Sequence, residues 1–255
     1  MKRLLVAMAL IALMGLVPAG KAAADDKDKE DKLQAKPFVF VGSAADCAPS
    51  PAGSNIVTAA WLRGMGLPDD GGNNAPNPAT RNDPHRGLLL SKNGPTSDCS
   101  AAGARISGVK GMTVTATFEL GFDYRNGGHC GAGAPRFNVV AKPASGPETF
   151  HFVGGCANDQ TPAGAPQDST QWTRVRFQTG NPAESFPVIP VGSRIVSISL
   201  IFDEGTDTAN APGETTAGAA GLAVVDNINI NGSFIRQGDG VQPGEKEDQE
   251  KEDDD

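Results

Sequence analysis

The chain has 255 residues, with 30 acids against 22 Lys and Arg and a formal net charge of −8. That balance offers no basic footprint for a phosphate backbone and speaks against a nucleic-acid partner. Aromatic residues make up 5% of the chain, while Gly and Pro number 32 and 19, a composition of turns and short aliphatic elements rather than long helices.

Lys2 and Arg3 open the chain, an apolar run from Leu4 to Val17 follows, and Pro18 leads to Ala22-Ala23-Ala24. This three-part pattern reads as a secretory signal peptide, residues 1–24, cleaved after Ala24. The apolar run is short of the roughly 20 residues that span a bilayer. No second such run follows, so the mature form is expected to be extracellular or periplasmic and not inserted in a membrane. Residues 25–36, DDKDKEDKLQAK, form a charged linker, and residues 237–255 carry nine acids against two lysines. Neither can bury enough apolar surface to offset its ordering entropy, so both are expected to be disordered. Residues 37–236 remain as one domain.

Within it, Phe38–Val41, Asn55–Leu62, Arg86–Lys92 and Ala104–Ile106 read as strands, with a long loop, LPDDGGNNAPNPATRND, between the second and third. The clearest strand runs from Met112 to Tyr124, where Met112, Val114, Ala116, Phe118, Leu120, Phe122 and Tyr124 alternate with Thr, Glu, Gly and Asp. Arg136–Lys142 and Thr149–Val153 flank a Pro/Gly turn and make a hairpin. Gln171–Gln178, Arg194–Asp203 and Gly221 to about Phe234 complete the set. Many short strands with abundant turns predict an all-β fold, a two-sheet antiparallel β-sandwich of jelly-roll type, with a barrel as the alternative.

Four cysteines in an exported chain read as two disulfides. Of three possible pairings, Cys130–Cys156 is favoured because it closes the ends of the predicted hairpin, which leaves Cys47–Cys99. Zinc is the alternative reading, with His129 beside a cysteine but no Cys-x-x-Cys.

In QWTRVRFQ, alternation sets Thr173, Val175 and Phe177 on one face and Trp172, Arg174 and Arg176 on the other. Likewise Arg136 and Asn138 oppose Phe137 and Val139, and His151 opposes Phe150 and Phe152. If these strands are neighbours, the six residues Arg136, Asn138, His151, Trp172, Arg174 and Arg176 form one ligand-binding face. Such a face can stack on a sugar ring and bond its hydroxyls; otherwise they are the ordinary polar face of a solvated sheet. Glu119 and Asp123, about 13 Å apart along an extended strand, are read as surface residues, too widely spaced for a glycosidase pair.

The stretch GLAVVDNINING poses a separate problem. In a strand, residues two apart share a face, so Val224, Asp226, Ile228 and Ile230 point the same way, inward. A buried carboxylate needs an Arg, backbone N–H groups or Ca²⁺. The loop DEGTDTANAPGE, which begins within RIVSISLIFDEGTDT, adds Asp203, Glu204, Asp207 and Glu214, so Asp226, Asp203 and Asp207 are candidate ligands of a structural Ca²⁺; a solvated acidic loop is the plainer reading. Those two stretches together resemble the end of jelly-roll domains of the galactose-binding and carbohydrate-binding-module type. There a penultimate core strand precedes a last strand with an apolar-Asp-Asn-Ile centre, here Val225-Asp226-Asn227-Ile228. The resemblance covers about the last 40 residues of the folded part. It implies the fold, varied ligands and, in several members, a structural calcium.

No Gly-x-Ser-x-Gly elbow or His-Glu-x-x-His helix is present. The expected function is therefore a non-catalytic binding module for carbohydrate or another extracellular polymer or cell-surface glycan. A structural or surface-associated protein without a small ligand is the alternative, and a polysaccharide-acting enzyme on the same fold comes third.

Overall fold

A computed structural model describes residues 32–54, 56–67, 85–208 and 221–236. The predicted signal peptide, residues 25–31 of the charged segment, the long loop beyond Leu67, Glu214 and the acidic tail lie outside the described residues. The thirteen described strands are β1 (Gln34–Val41), β2 (Val57–Leu62), β3 (Gly87–Lys92), β4 (Ser100–Ser107), β5 (Glu119–Arg125), β6 (Arg136–Lys142), β7 (Thr149–Gly154), β8 (Ala163–Ala165), β9 (Asp168–Gln178), β10 (Ser185–Phe186), β11 (Arg194–Phe202), β12 (Leu222–Ile230) and β13 (Ser233–Ile235). One 3-10 turn, Cys156–Asn158, interrupts them.

They form two antiparallel sheets, one of six strands ordered β1-β4-β11-β6-β7-β10 and one of seven ordered β2-β3-β12-β5-β9-β8, with β13 paired to β12. Between β3 and β12 the main strands change sheet at each step except the β6–β7 hairpin. The last long strand of each sheet, β11 in one and β12 in the other, inserts between earlier ones. This wrapping is that of a jelly roll, as alternation and turn spacing predict. The core between the sheets is aliphatic with a few rings. Phe122 of β5 lies 5.9 Å from Phe137 of β6 and 6.0 Å from Phe177 of β9, so one cluster joins both layers. Both expected disulfides are present, Cys47–Cys99 and Cys130–Cys156, with Cα separations of 5.8 and 5.3 Å.

Two departures from the sequence expectation have local causes. The long alternating run from Met112 is not one strand. Met112 and Val114 exchange backbone bonds with the Gly192–Ile195 segment leading into β11, and a turn closed by the Phe118 N–H donating to the Thr115 carbonyl hands the chain across to β5. The run stays in phase because both halves touch one core, with Val114 and Phe118 each 1% exposed. At the other end, β1 begins at Gln34, so residues 34–36 belong to a sheet although composition groups them with the charged linker.

The second departure lies in β12. Ala223 and Val225 face the sandwich core, and so do Ile228 and Ile230. An even step followed by an odd one requires an inserted residue. The pairing with β5 shifts between Asp226 and Asn229, and Asn227 has φ 46°, the left-handed conformation that Asn tolerates better than most residues. Val224 and Asp226 therefore point away from the sandwich core, on the opposite face from Ile228 and Ile230. Asp226 is nonetheless fully buried, because the segment ending at Leu67 covers that face.

The outer edge of β9 is closed in an unusual way. Beyond the short β8, the Arg176 N–H donates to Asp159 Oδ2 at 3.0 Å and the Gln178 N–H to Glu184 Oε2 at 2.6 Å. Carboxylates stand where a further strand would pair.

Because Asn227 must hold a left-handed backbone, Asn227→Val is expected to destabilise the domain by about 1–3 kcal/mol, with Asn227→Gly recovering part of that loss. Urea denaturation of the purified variants measures both.

Candidate functional site

The six residues predicted to share a face divide between the sheets. Trp172, Arg174 and Arg176 alternate outward on β9 as expected, but β9 lies in the seven-stranded sheet, whereas Arg136 and Asn138 are on β6 and His151 on β7 in the six-stranded sheet. His151 faces inward. It pairs across from the core residue Val139 and is 1% exposed, with its ring nitrogens against Thr149 Oγ1 at 2.7 Å and the Pro187 carbonyl at 2.8 Å. The phase of β7 is thus the reverse of the expected one: Phe150 and Phe152 are the outward residues.

The outer face of the seven-stranded sheet is covered and committed. Trp172 is 3% exposed, packed with Leu67, Ala165 and Val224, so it offers no ring for a ligand. Asp123, expected at the surface, is fully buried under the two arginines. Its Oδ1 accepts from Arg174 Nε and Arg176 Nη2, both at 3.1 Å, and its Oδ2 accepts from Asn227 Nδ2 at 2.8 Å. Burial pulls the Arg176 guanidinium below its ordinary value, and the charge of Asp123 opposes that pull. Glu119 accepts from Gln178 Nε2 and Asn229 Nδ2, and Phe234 of β13 lies beneath Arg176 at 5.6 Å. A buried carboxylate shared by two guanidinium groups and an amide is a cross-strand tie between β5, β9 and β12. Toward the end of this sheet a pocket of about 280 Å³ opens beside Met65, Arg125, Gly128 and Leu222.

The three proposed calcium ligands have separate partners. Asp226 accepts from the N–H groups of Leu67 at 2.8 Å and Asn227 at 2.7 Å. Asp203 is held bidentately by Arg136 at 2.6 and 2.7 Å. Asp207 accepts from the Thr96 N–H and Oγ1 at 2.7 and 2.8 Å, bonds that hold its carboxyl below the usual range. Glu204 is in close contact with His129, whose ring stands edge-on to Phe202. Among the described residues no group of three or more His, Cys, Asp or Glu is disposed to hold a metal ion.

The outer face of the six-stranded sheet is open. Register aligns one row across all six strands: Lys36, Arg105, Ser199, Asn138, Phe152 and Phe186. Phe150, Phe152 and Phe186 are 46%, 41% and 42% exposed. Arg136, two residues before Asn138 on the same side of β6, sets its guanidinium 5.0 Å above the Phe152 ring, and Arg105 sits 5.3 Å from the Phe38 ring. Of the predicted binding residues, Arg136 and Asn138 therefore lie on this outer face, each half-buried, beside Phe150 and Phe152, which alternation had turned inward.

Sequence reasoning also missed a buried ion pair. Lys92 is fully buried at the end of β3, its Nζ 3.1 Å from Asp98 Oδ1 and donating to the carbonyls of Thr96 and Asp98. Desolvation pushes the Asp98 carboxyl up, but hydrogen bonds from Ser100, Ser54 and Lys92 outweigh it and hold the group far below the usual range. In sequence Lys92 looks like the polar end of an apolar strand, and nothing local marks its partner.

No protein-family model matches this chain, and no curated protein matches it. What the fold and covalent structure define is a disulfide-bonded jelly-roll β-sandwich, a class at home in an oxidising environment.

Because the folded Asp98 titrates below its unfolded value, its contribution is complete above about pH 4 and drains away as pH falls toward the folded value. Asp98→Asn is expected to flatten the acid limb of the stability curve. It should also destabilise by about 3–5 kcal/mol at neutral pH by leaving Lys92 buried without its counter-charge. Urea titrations across pH 2–7 read both effects.

Proposed function

We propose that the domain is an exported, non-catalytic binding module that takes an extracellular polymer, carbohydrate in the first instance, on the outer face of its six-stranded sheet. The observation that carries this reading is the exposure of Phe150, Phe152 and Phe186 side by side on a regular sheet. Contiguous exposed aromatic surface on a soluble domain marks a place where something binds. Rings of this kind offer an apolar platform to a sugar face. Ser199, in the same row, offers its hydroxyl to the hydroxyl groups of a sugar; Asn138 beside it is half-buried with its Oδ1 covered.

The shape of the surface supports a polymer over a small molecule. The row crosses six strands, a length of about 24 Å at ordinary strand spacing. Small-ligand sites are instead concave and enclose most of the ligand. The signal-peptide pattern, the two disulfides and the resemblance of the closing strands to carbohydrate-binding jelly rolls agree with this reading.

Affinity electrophoresis through gels containing a panel of soluble polysaccharides tests it. At least one polymer is expected to retard the protein, and Phe152→Ala/Phe186→Ala to weaken that retention about tenfold, the scale of two lost ring contacts. Trp172→Ala is expected to lower the melting temperature instead, since that ring is interior. Unchanged retention in the double phenylalanine variant, with melting unchanged, would remove this face from the binding role.

A further inference from the structure

The strands of the six-stranded sheet contain five cations, Lys36, Arg105, Arg136, Lys142 and Arg194, and no Asp or Glu. The strands of the other sheet contain four of each sign. The asymmetry runs against the composition, because the chain as a whole is acidic.

Alternation sends all five cations to one side. Ala35 and Ile106 face the core, so Lys36 and Arg105 beside them face out; Ile195 and Ala141 face the core, so Arg194 and Lys142 face out. Arg136 shares their side with Asn138. Moreover, the register sets two like-charged pairs directly across from each other, Lys36 opposite Arg105 and Lys142 opposite Arg194. Like charges in that relation destabilise a sheet. Arg194 donates to the Gly111 carbonyl at 2.9 Å and Arg105 stands over the Phe38 ring, contacts that bring no counter-charge. Among the described residues none of these four has an acidic partner, and Asp203 is taken up by Arg136. The seven-stranded sheet shows the alternative this sequence uses elsewhere, a carboxylate set between its cations.

From these observations we infer that the ligand of this face is a polyanionic polysaccharide, a sugar chain bearing carboxylates, with Lys36, Arg105, Lys142 and Arg194 supplying the charge contacts and Phe150, Phe152 and Phe186 the ring contacts. The proposal deepens the polymer-binding reading above and rests on it. Carboxylates match the surface because guanidinium forks bind them bidentately while ammonium groups add unspecific attraction. A polymer matches it because the charges are spread across β1, β4, β6 and β11 rather than gathered in one pocket. The rings favour a sugar chain over a lipid surface or a nucleic acid. Phe152 and Phe186 lie in one row with Asn138 and Ser199, and Phe150 stands against Phe152 at 4.9 Å, so the rings sit on paired strands and not at a loop tip of the kind that inserts into a bilayer.

The test uses one polymer in two charge states. Polygalacturonate and its methyl ester share a backbone and differ in the carboxylate. The purified protein is expected to bind polygalacturonate at least about tenfold more tightly than the ester, and to lose most of that difference at 0.5 M NaCl, where screening is short-ranged. Lys36→Gln/Arg105→Gln and Lys142→Gln/Arg194→Gln are each expected to weaken binding about 3- to 10-fold, the effect of two exposed charge contacts. Each is expected to melt at or above the wild-type temperature without ligand, because each removes a repelling pair. Polygalacturonate is expected to raise the melting temperature of the wild type and not of the combined variant.

Equal affinity for the two polymers, with Phe152→Ala/Phe186→Ala still weakening both, overturns the polyanion assignment and keeps the polymer-binding face. Tighter binding to duplex DNA or to phosphatidylserine vesicles than to polygalacturonate overturns the assignment to polysaccharide. Retention on no polysaccharide of either charge overturns both.

Discussion

One backbone conformation organises the centre of this molecule. β12 lies between β3 and β5, and it supplies Ala223, Val225, Ile228 and Ile230 to a single core. A strand of strict period two cannot do that with this sequence. The left-handed turn at Asn227 inserts the missing half-step, and the same residue then donates to Asp123. The carboxylate that two arginines of β9 share is thereby fixed to β12 as well. Closure of the core and the tie across three strands both follow from one residue leaving the extended region.

The two sheets resolve their outer faces in opposite ways. On one, remote segments fold over the strands, Trp172 becomes interior, and Arg174 and Arg176 sit close to acids. On the other, rings and unpaired cations remain in the open. Covering a face contributes stability through buried area. Leaving rings and like charges exposed forgoes it, and a surface that forgoes stability over several adjacent strands is where recognition is best sought.

Much of the architecture is legible in the sequence, because period-two alternation reports on each strand's own contact with the core. That is why the strands near residues 136, 171 and 194 can be placed, and why hairpin logic finds the Cys130–Cys156 disulfide. The same signal fails where geometry is set elsewhere. One inserted residue inverts the faces of β12 after Asn227, and alternation is blind to insertion. In β7 both faces of the pattern carry aromatic or amphipathic residues, so Phe150 and His151 exchange expected sides. Which sheet a strand joins is a matter of long-range pairing, so Trp172 and Arg136 look like neighbours in composition and lie on different layers. Lys92 and Asp98 meet because a loop returns beneath the sheet, and no spacing rule announces that.

The carboxylates at the outer edge of β9 bear on how the domain behaves in company. Open strand edges are templates: they let one molecule recruit the backbone of another and propagate a ladder through solution. Here the amides of Arg176 and Gln178 already donate to Asp159 and Glu184, so an incoming chain finds its donors spent and two negative charges in its path. Lateral growth stops at this border by occupation rather than by distance. The domain can thus be concentrated on a surface, many copies side by side, without that edge turning crowding into fibre.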